Sequence, residues 1–226
     1  MKHLWWKILA ALLMIYTIIA GFLAPVPRLP ILHETVRNLH FHVPMWFGMI
    51  LILGGGVYYS FKYLNNPLPK YDAFATECVN TGLLFGMLGM ASGMIWAQFA
   101  WGKFWSGDPK QNASAVGLLI YFGYLVLRDS FSDETKSGRI SAIYNIFAYC
   151  TFIPLIFILP RLTDSLHPGN GGNPGFNAYD MDAKLRVVFY PAVIGWTLLG
   201  AWITQMRARL RMVKMAQEEK WMERQN

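Results

Sequence analysis

Two histidines and one crowded run of aromatics are the residues of this chain best suited to hold a ligand. His42 lies in His42-Val43-Pro44-Met45-Trp46 and His167 in Ser165-Leu166-His167-Pro168-Gly169, each at the edge of an apolar stretch. Between them, Trp96, Phe99, Trp101, Phe104 and Trp105 fall within ten residues, followed by the polar turn Gly107-Asp108-Pro109-Lys110. Taken singly, a loop histidine is most often a solvated or hydrogen-bonded side chain. A pair flanking an aromatic platform is a different matter. Two imidazoles can fill both axial positions of a haem iron, and a planar porphyrin would lie flat or edge-on against indole rings. A plain aromatic belt also puts Trp at a membrane interface, but belt residues come singly at span ends. Flat aromatic surfaces suit flat apolar ligands.

Such residues need elements that hold them at a membrane surface. Of 226 residues, 54% are hydrophobic and only 15% charged, against about 25% charged in soluble domains. With 15 Phe, 11 Tyr and 9 Trp, the chain reads as an all-α integral membrane protein. Its net charge of +7 follows from the Lys and Arg that gather in cytoplasmic loops, so no nucleic-acid partner is implied. Cys78 and Cys150 form no CxxC pair and no disulfide framework, and no C-x-x-C-H signature for covalent haem is present.

A bilayer core asks for roughly 20 apolar residues per helix, and six stretches qualify: 4–23, 44–64, 78–100, 113–127, 140–160 and 187–206, the fourth being short. The first exceeds a usual signal-peptide core and no A-x-A site follows, so it is expected to be a retained helix. Six spans put both termini on one side. Thirteen of the 20 basic residues fall on that side, which favours N-in and C-in topology. Residues 1–206 then form the six-span membrane domain, and 207–226 a basic cytoplasmic tail suited to anionic lipid. The inner connections, 65–77 and 128–139, are short and charged. The outer ones, 25–43, 96–112 and 161–186, hold four of the five histidines and several Trp, and function concentrates in such loops. In the third span Gly82, Gly86, Gly89 and Gly93 form one stripe, a surface for close helix approach with a structural meaning only.

Trp96, Trp101-Gly102-x-x-Trp105 and Asp108-Pro109-Lys110, with His42-Val43-Pro44 and Leu166-His167 on either side, resemble the signature segments of the tryptophan-rich haem-handling family of cytochrome c maturation, nearest its haem protein C (CcmC) branch. The similarity runs from about His42 to Trp202. It departs at Gly107, where a second Trp normally precedes the Asp, and at Gln111, where relatives often carry an acid. The resemblance implies a non-catalytic loading step at the periplasmic face of the bacterial inner membrane. Haem b is held transiently there, with His42 and His167 as axial ligands and Trp96, Trp101, Trp105 and Asp108 around it, and is presented to a periplasmic haem chaperone. It also implies an ATP-binding subunit and a companion membrane subunit. This chain has no G-x-x-x-x-G-K-[ST] loop, so ATP would be hydrolysed elsewhere.

On this reading imidazole bonds from two separate loops are reversible, as a haem destined for release requires. Arg37, Lys103, Lys110 or Arg161 can pair with the haem propionates, although each is equally readable as a solvated loop charge. The Gly-rich run 169–175 either lets His167 move or is plain spacer. His33 and His40 share a face with Arg37 on a short surface helix and are spare. Asp108, preceding Pro109, either caps the turn or meets the chaperone. Three rivals remain. An electron-transfer cytochrome b would carry paired histidines deep within its spans, where this chain has none. The permease subunit of an ABC-type transporter for another solute would show ionisable residues near the midplane. A cytochrome c synthetase of the CcsA type would bring further spans and intramembrane histidines.

Overall fold

The structure, a computed structural model, describes residues 4–167 and 181–223. Within them lie six α-helices: α1 (Trp5–Leu23), α2 (Leu39–Asn65), α3 (Pro69–Trp101), α4 (Pro109–Asp129), α5 (Glu134–Phe157) and α6 (Ala183–Glu223). Short 3-10 turns cover His33–Asn38 before α2 and Leu159–Arg161 after α5. Sequence punctuation explains the boundaries. Pro69 and Pro109 open α3 and α4, where a missing N–H leaves no bond unmade. Asp108 caps α4 by accepting from the backbone N–H groups of Lys110 and Gln111, and Asp133 caps α5 through Lys136. α3 stops at Gly102, which takes the left-handed φ of 75° and returns its N–H to the Gln98 carbonyl.

The helices overrun the apolar stretches because polar residues at their ends find partners. The expected connector 65–77 shrinks to residues 66–68, since α3 begins at Pro69. Its charged first turns are neutralised: Arg128 grips both oxygens of Asp72, and Glu77 accepts from Arg207 Nε at 2.6 Å and Arg211 Nη1 at 3.3 Å. The expected outer loop 25–43 is corrected likewise. His33 lies in a 3-10 turn, and His40 and His42 are already helical, because α2 starts five residues before Pro44. Pro44 is the sixth residue of α2, inside the helix, where its missing N–H leaves the His40 carbonyl without its usual helical partner. The basic stretch from Arg207 is helical, because α6 continues without a break through Met206 to Glu223. Among the described residues, five helices are long and apolar enough to cross a membrane, α4 falling outside that set. Its 21 residues are polar at both ends, 109–112 and 128–129. The Gly-rich run 169–175 lies outside the described residues.

α2 and α3 form the central hairpin, with α6 against both, α1 against α6, and the α4–α5 hairpin closing the other side. Met49, Leu53, Leu83, Phe85, Tyr121 and Phe152 fill the core between α2, α3, α4 and α5. The glycine stripe is where neighbouring side chains enter the surface of α3. A Cβ on Gly82 would stand 2.6 Å from Leu53, on Gly86 2.5 Å from Leu118, on Gly89 2.8 Å from Trp46, and on Gly93 2.5 Å from His42. The first two glycines serve packing. The last two hold residues of the site described next.

Candidate functional site

A pocket of about 1020 Å³, counting its open mouth, lies where the start of α2, the end of α3, the start of α4 and the end of α5 meet. Its wall is largely apolar, and both His42 and His167 belong to it, with Trp46, Trp96 and Trp101. Residues 125 positions apart in sequence thus face one space.

His42 sits in the first turns of α2. Its Nδ1 lies 2.8 Å from the Gly89 carbonyl oxygen and 3.2 Å from Ser92 Oγ. A carbonyl only accepts, so Nδ1 carries the proton and Nε2 keeps its lone pair. The ring meets the edge of Trp96 at 5.9 Å, and Trp96 Nε1 is fixed in turn by donating to Thr35 Oγ1 at 3.1 Å. The missing Cβ of Gly93 makes room for this imidazole.

His167 is held the same way by a different partner. Its Nδ1 donates to Asp108 Oδ1 at 2.7 Å, again leaving Nε2 as the free lone pair, and its ring meets Trp101 edge-on at 4.9 Å. The Asp108 side chain is fully buried. Besides capping α4, it accepts from Ser165 Oγ at 2.9 Å and from the Leu166 N–H at 2.6 Å through Oδ2. Burial alone would raise its pKa. The hydrogen bonds from His167, Leu166 and Ser165 outweigh that and hold the carboxyl well below the usual range. One buried carboxylate therefore fixes the N-terminus of α4 and the segment 165–167 together.

The expected aromatic platform divides. Trp96 and Trp101 line the pocket, whereas Trp105 stands outside it, 41% exposed, as do Phe99 and Phe104. Asp108 lies behind His167 and off the wall. Gln111 takes a local part: its Oε1 accepts from the Ser106 N–H and Oγ, and its Nε2 donates to the Phe104 carbonyl, closing the 104–111 turn. His33 and His40 do not line the pocket, and His40 is buried at 2% exposure on the side facing α1. Sequence reasoning missed Trp46, Gly89 and Gly93. Trp46 follows His42 by four residues, the spacing of one helix face.

Among the described residues, no group of three or more His, Cys, Asp or Glu is placed to hold a bare metal ion. Two imidazole nitrogens, each with its other nitrogen fixed by an acceptor, are instead groups that could hold a macrocycle iron. The chemistry of the wall fits haem.

Comparison with known proteins gives the family of the chain. The chain is 25% identical over 188 residues to "Heme exporter protein C" of Escherichia coli (strain K12), covering 83% of this chain and 75% of that protein. It is 25% identical over 140 residues to the protein of the same name from Haemophilus influenzae, covering 62% and 56%. It is also 37% identical over 78 residues to "Cytochrome c biogenesis protein CcsA" of Prochlorococcus marinus, a match covering 34% of this chain and 25% of that one. The family model described as heme exporter protein C matches residues 1–223, and the chain belongs to that family (CcmC), non-enzymatic haem-handling proteins of cytochrome c biogenesis.

Proposed function

We propose that the pocket holds haem b transiently at the periplasmic face of the bacterial inner membrane and hands it to a periplasmic haem chaperone. His42 Nε2 and His167 Nε2 are the axial ligands, Trp96 and Trp101 border the macrocycle, and Asp108 positions His167. Trp105, standing outside the pocket, is assigned to its rim. The supporting chain topology is six spans with both termini inside, residues 1–206 forming the membrane unit. An ATP-binding subunit and a companion membrane subunit complete the assembly, and membrane lipid surrounds it.

The observation that carries this reading is the pair of imidazoles on one apolar wall, each with Nδ1 already engaged. A neutral imidazole presents only one lone pair, so fixing the Nδ1 proton decides which nitrogen can bind iron. No thioether is formed, and both bonds can be broken again. The test is the haem content and absorption spectrum of the purified protein against His42→Ala and His167→Ala. Loss of the bis-imidazole spectrum in both variants is expected, and an unchanged spectrum in both overturns the ligand assignment. Delivery is tested separately. A co-expressed haem chaperone should fail to load when this protein is absent, and normal loading in its absence would overturn the delivery role.

A further inference from the structure

Haem carries two carboxylates, and four basic residues were candidates to meet them. Three are engaged elsewhere or displaced. Arg37 Nε donates to Glu34 at 2.8 Å, while its Nη1 donates to the Ala24 carbonyl at 2.7 Å and the Gly21 carbonyl at 3.3 Å, tying the end of α1 to the turn before α2. Arg161 Nη1 donates to the Phe157 carbonyl at 2.7 Å, and the side chain is off the pocket wall. Lys103 is exposed just past the end of α3, also off the wall.

Lys110 differs from all three. It is the one basic side chain on the pocket wall among the described residues. No described carboxylate forms an ion pair with it. The acid nearest in sequence, Asp108, is occupied by His167, Ser165 and the backbone of residues 110, 111 and 166. A half-buried ammonium beside apolar surface carries a desolvation cost that a bound anion offsets. The first turn of α4, where Lys110 stands, adds the partial positive charge of a helix start.

The geometry points to Lys110 as the carboxylate anchor of this pocket: its ammonium pairs with a propionate and sets the porphyrin with its acidic edge toward α4. The assignment rests on the reading that the pocket holds haem. It adds an orientation that the two axial bonds cannot supply, because a macrocycle held only by its iron can still turn in its own plane.

The test titrates the purified full-length protein in detergent with haem and with haem dimethyl ester, in which both propionates are blocked, following the Soret band. A charge-assisted bond predicts that the wild type prefers the free acid by about tenfold. Lys110→Gln should bring that preference close to one while leaving the bis-imidazole band in place. Lys110→Arg and Lys103→Gln should retain it. Equal affinity of the wild type for acid and ester overturns the proposal without need of any variant, as does an undiminished preference in Lys110→Gln or an equal loss in Lys103→Gln. If neither ligand gives a band dependent on His42 and His167, the haem reading itself fails and takes this proposal with it.

Discussion

Replacing Gly93 by alanine tests whether the glycine stripe of α3 serves the site or only the packing. The new Cβ would stand 2.5 Å from His42 Cε1, 3.1 Å from Nδ1 and 3.3 Å from Nε2. The first contact is about 0.9 Å short of an ordinary van der Waals separation of 3.4 Å. The imidazole cannot simply bend away. Its Nδ1 is tethered to the Gly89 carbonyl on the same helix, and its ring abuts Trp96. A displacement of that size breaks the 2.8 Å hydrogen bond, worth about 1 kcal/mol, and adds overpacking strain of roughly 1–3 kcal/mol. With the donor nitrogen misplaced as well, haem affinity should fall by at least about tenfold.

The control lies two turns away on the same stripe. Alanine at Gly86 would put Cβ 2.5 Å from Leu118 Cδ2 and 2.7 Å from Met49 Sδ, an overlap just as severe. Those atoms are the ends of flexible side chains, and neither residue is a candidate ligand. Both substitutions bring the same gain of about 1 kcal/mol in helix propensity, which cancels between them. Haem titration followed at the Soret band, paired with thermal denaturation, separates the two outcomes. Gly86→Ala should lose stability and keep its spectrum, and Gly93→Ala should lose the bis-imidazole band. A wild-type spectrum in Gly93→Ala, or an equal loss in both variants, refutes the reasoning.

Asp108→Asn replaces one acceptor oxygen with an amide donor facing groups that themselves donate, at a cost of about 1–3 kcal/mol. It should weaken haem binding while circular dichroism shows the helices intact, and unaltered binding would show that His167 needs no carboxylate. The pH dependence follows from the same group. Its pKa is depressed in the fold, so the unfolded chain binds more protons and stability rises with pH. That contribution is complete above the ordinary Asp value near 3.9 and lost as pH falls below it. Between about pH 5 and pH 3 the melting temperature of the wild type should fall more steeply than that of Asp108→Asn, and parallel slopes would contradict this. Glu77→Gln leaves Arg207 and Arg211 without their carboxylate at the far end of α3. Since Glu77 is buried while Arg207 and Arg211 are partly exposed, the loss should be about 1–3 kcal/mol. The haem spectrum should not change, because Gly93 lies about 24 Å further along the helix.

The candidate ligand residues were legible because imidazole and indole are rare and chemically particular. His42, His167, Trp96 and Trp101 could be picked out by type before their positions were known. What fixes them was less visible. The partner of His42 is a backbone carbonyl, a group every residue carries, and Gly89 offered no signal except its place on a stripe that has an ordinary packing explanation. Pro44 was misleading as a helix start, since a proline two residues inside the apolar run does not reveal how far the helix extends before it. Asp108 was foreseen as a cap, but only the fold shows that its second oxygen reaches residues 165 and 166. Trp105 and Trp46 exchanged places for a related reason. Residues crowded together in sequence spread around a helix end, whereas His42 and Trp46, four apart, share a face.

The two halves of the site are anchored unequally, and the difference bears on release. His42 belongs to a helix of 27 residues, is oriented by a neighbouring helix and is backed by an indole that is itself hydrogen-bonded. His167 lies outside any helix, and Asp108 accepts hydrogen bonds from Ser165, Leu166 and His167 of this segment, while the His167 ring rests on Trp101. On the proposed reading, in which a haem is both held and given up, the half outside a helix would be the half that yields. A partner competing for the hydrogen bonds of Asp108 would loosen three residues at once and leave His42 in place. The His167 bond would then be the first to open. Asp108→Asn should accordingly speed haem transfer from a preloaded protein to an acceptor, while slower or unchanged transfer would place the yielding bond at His42.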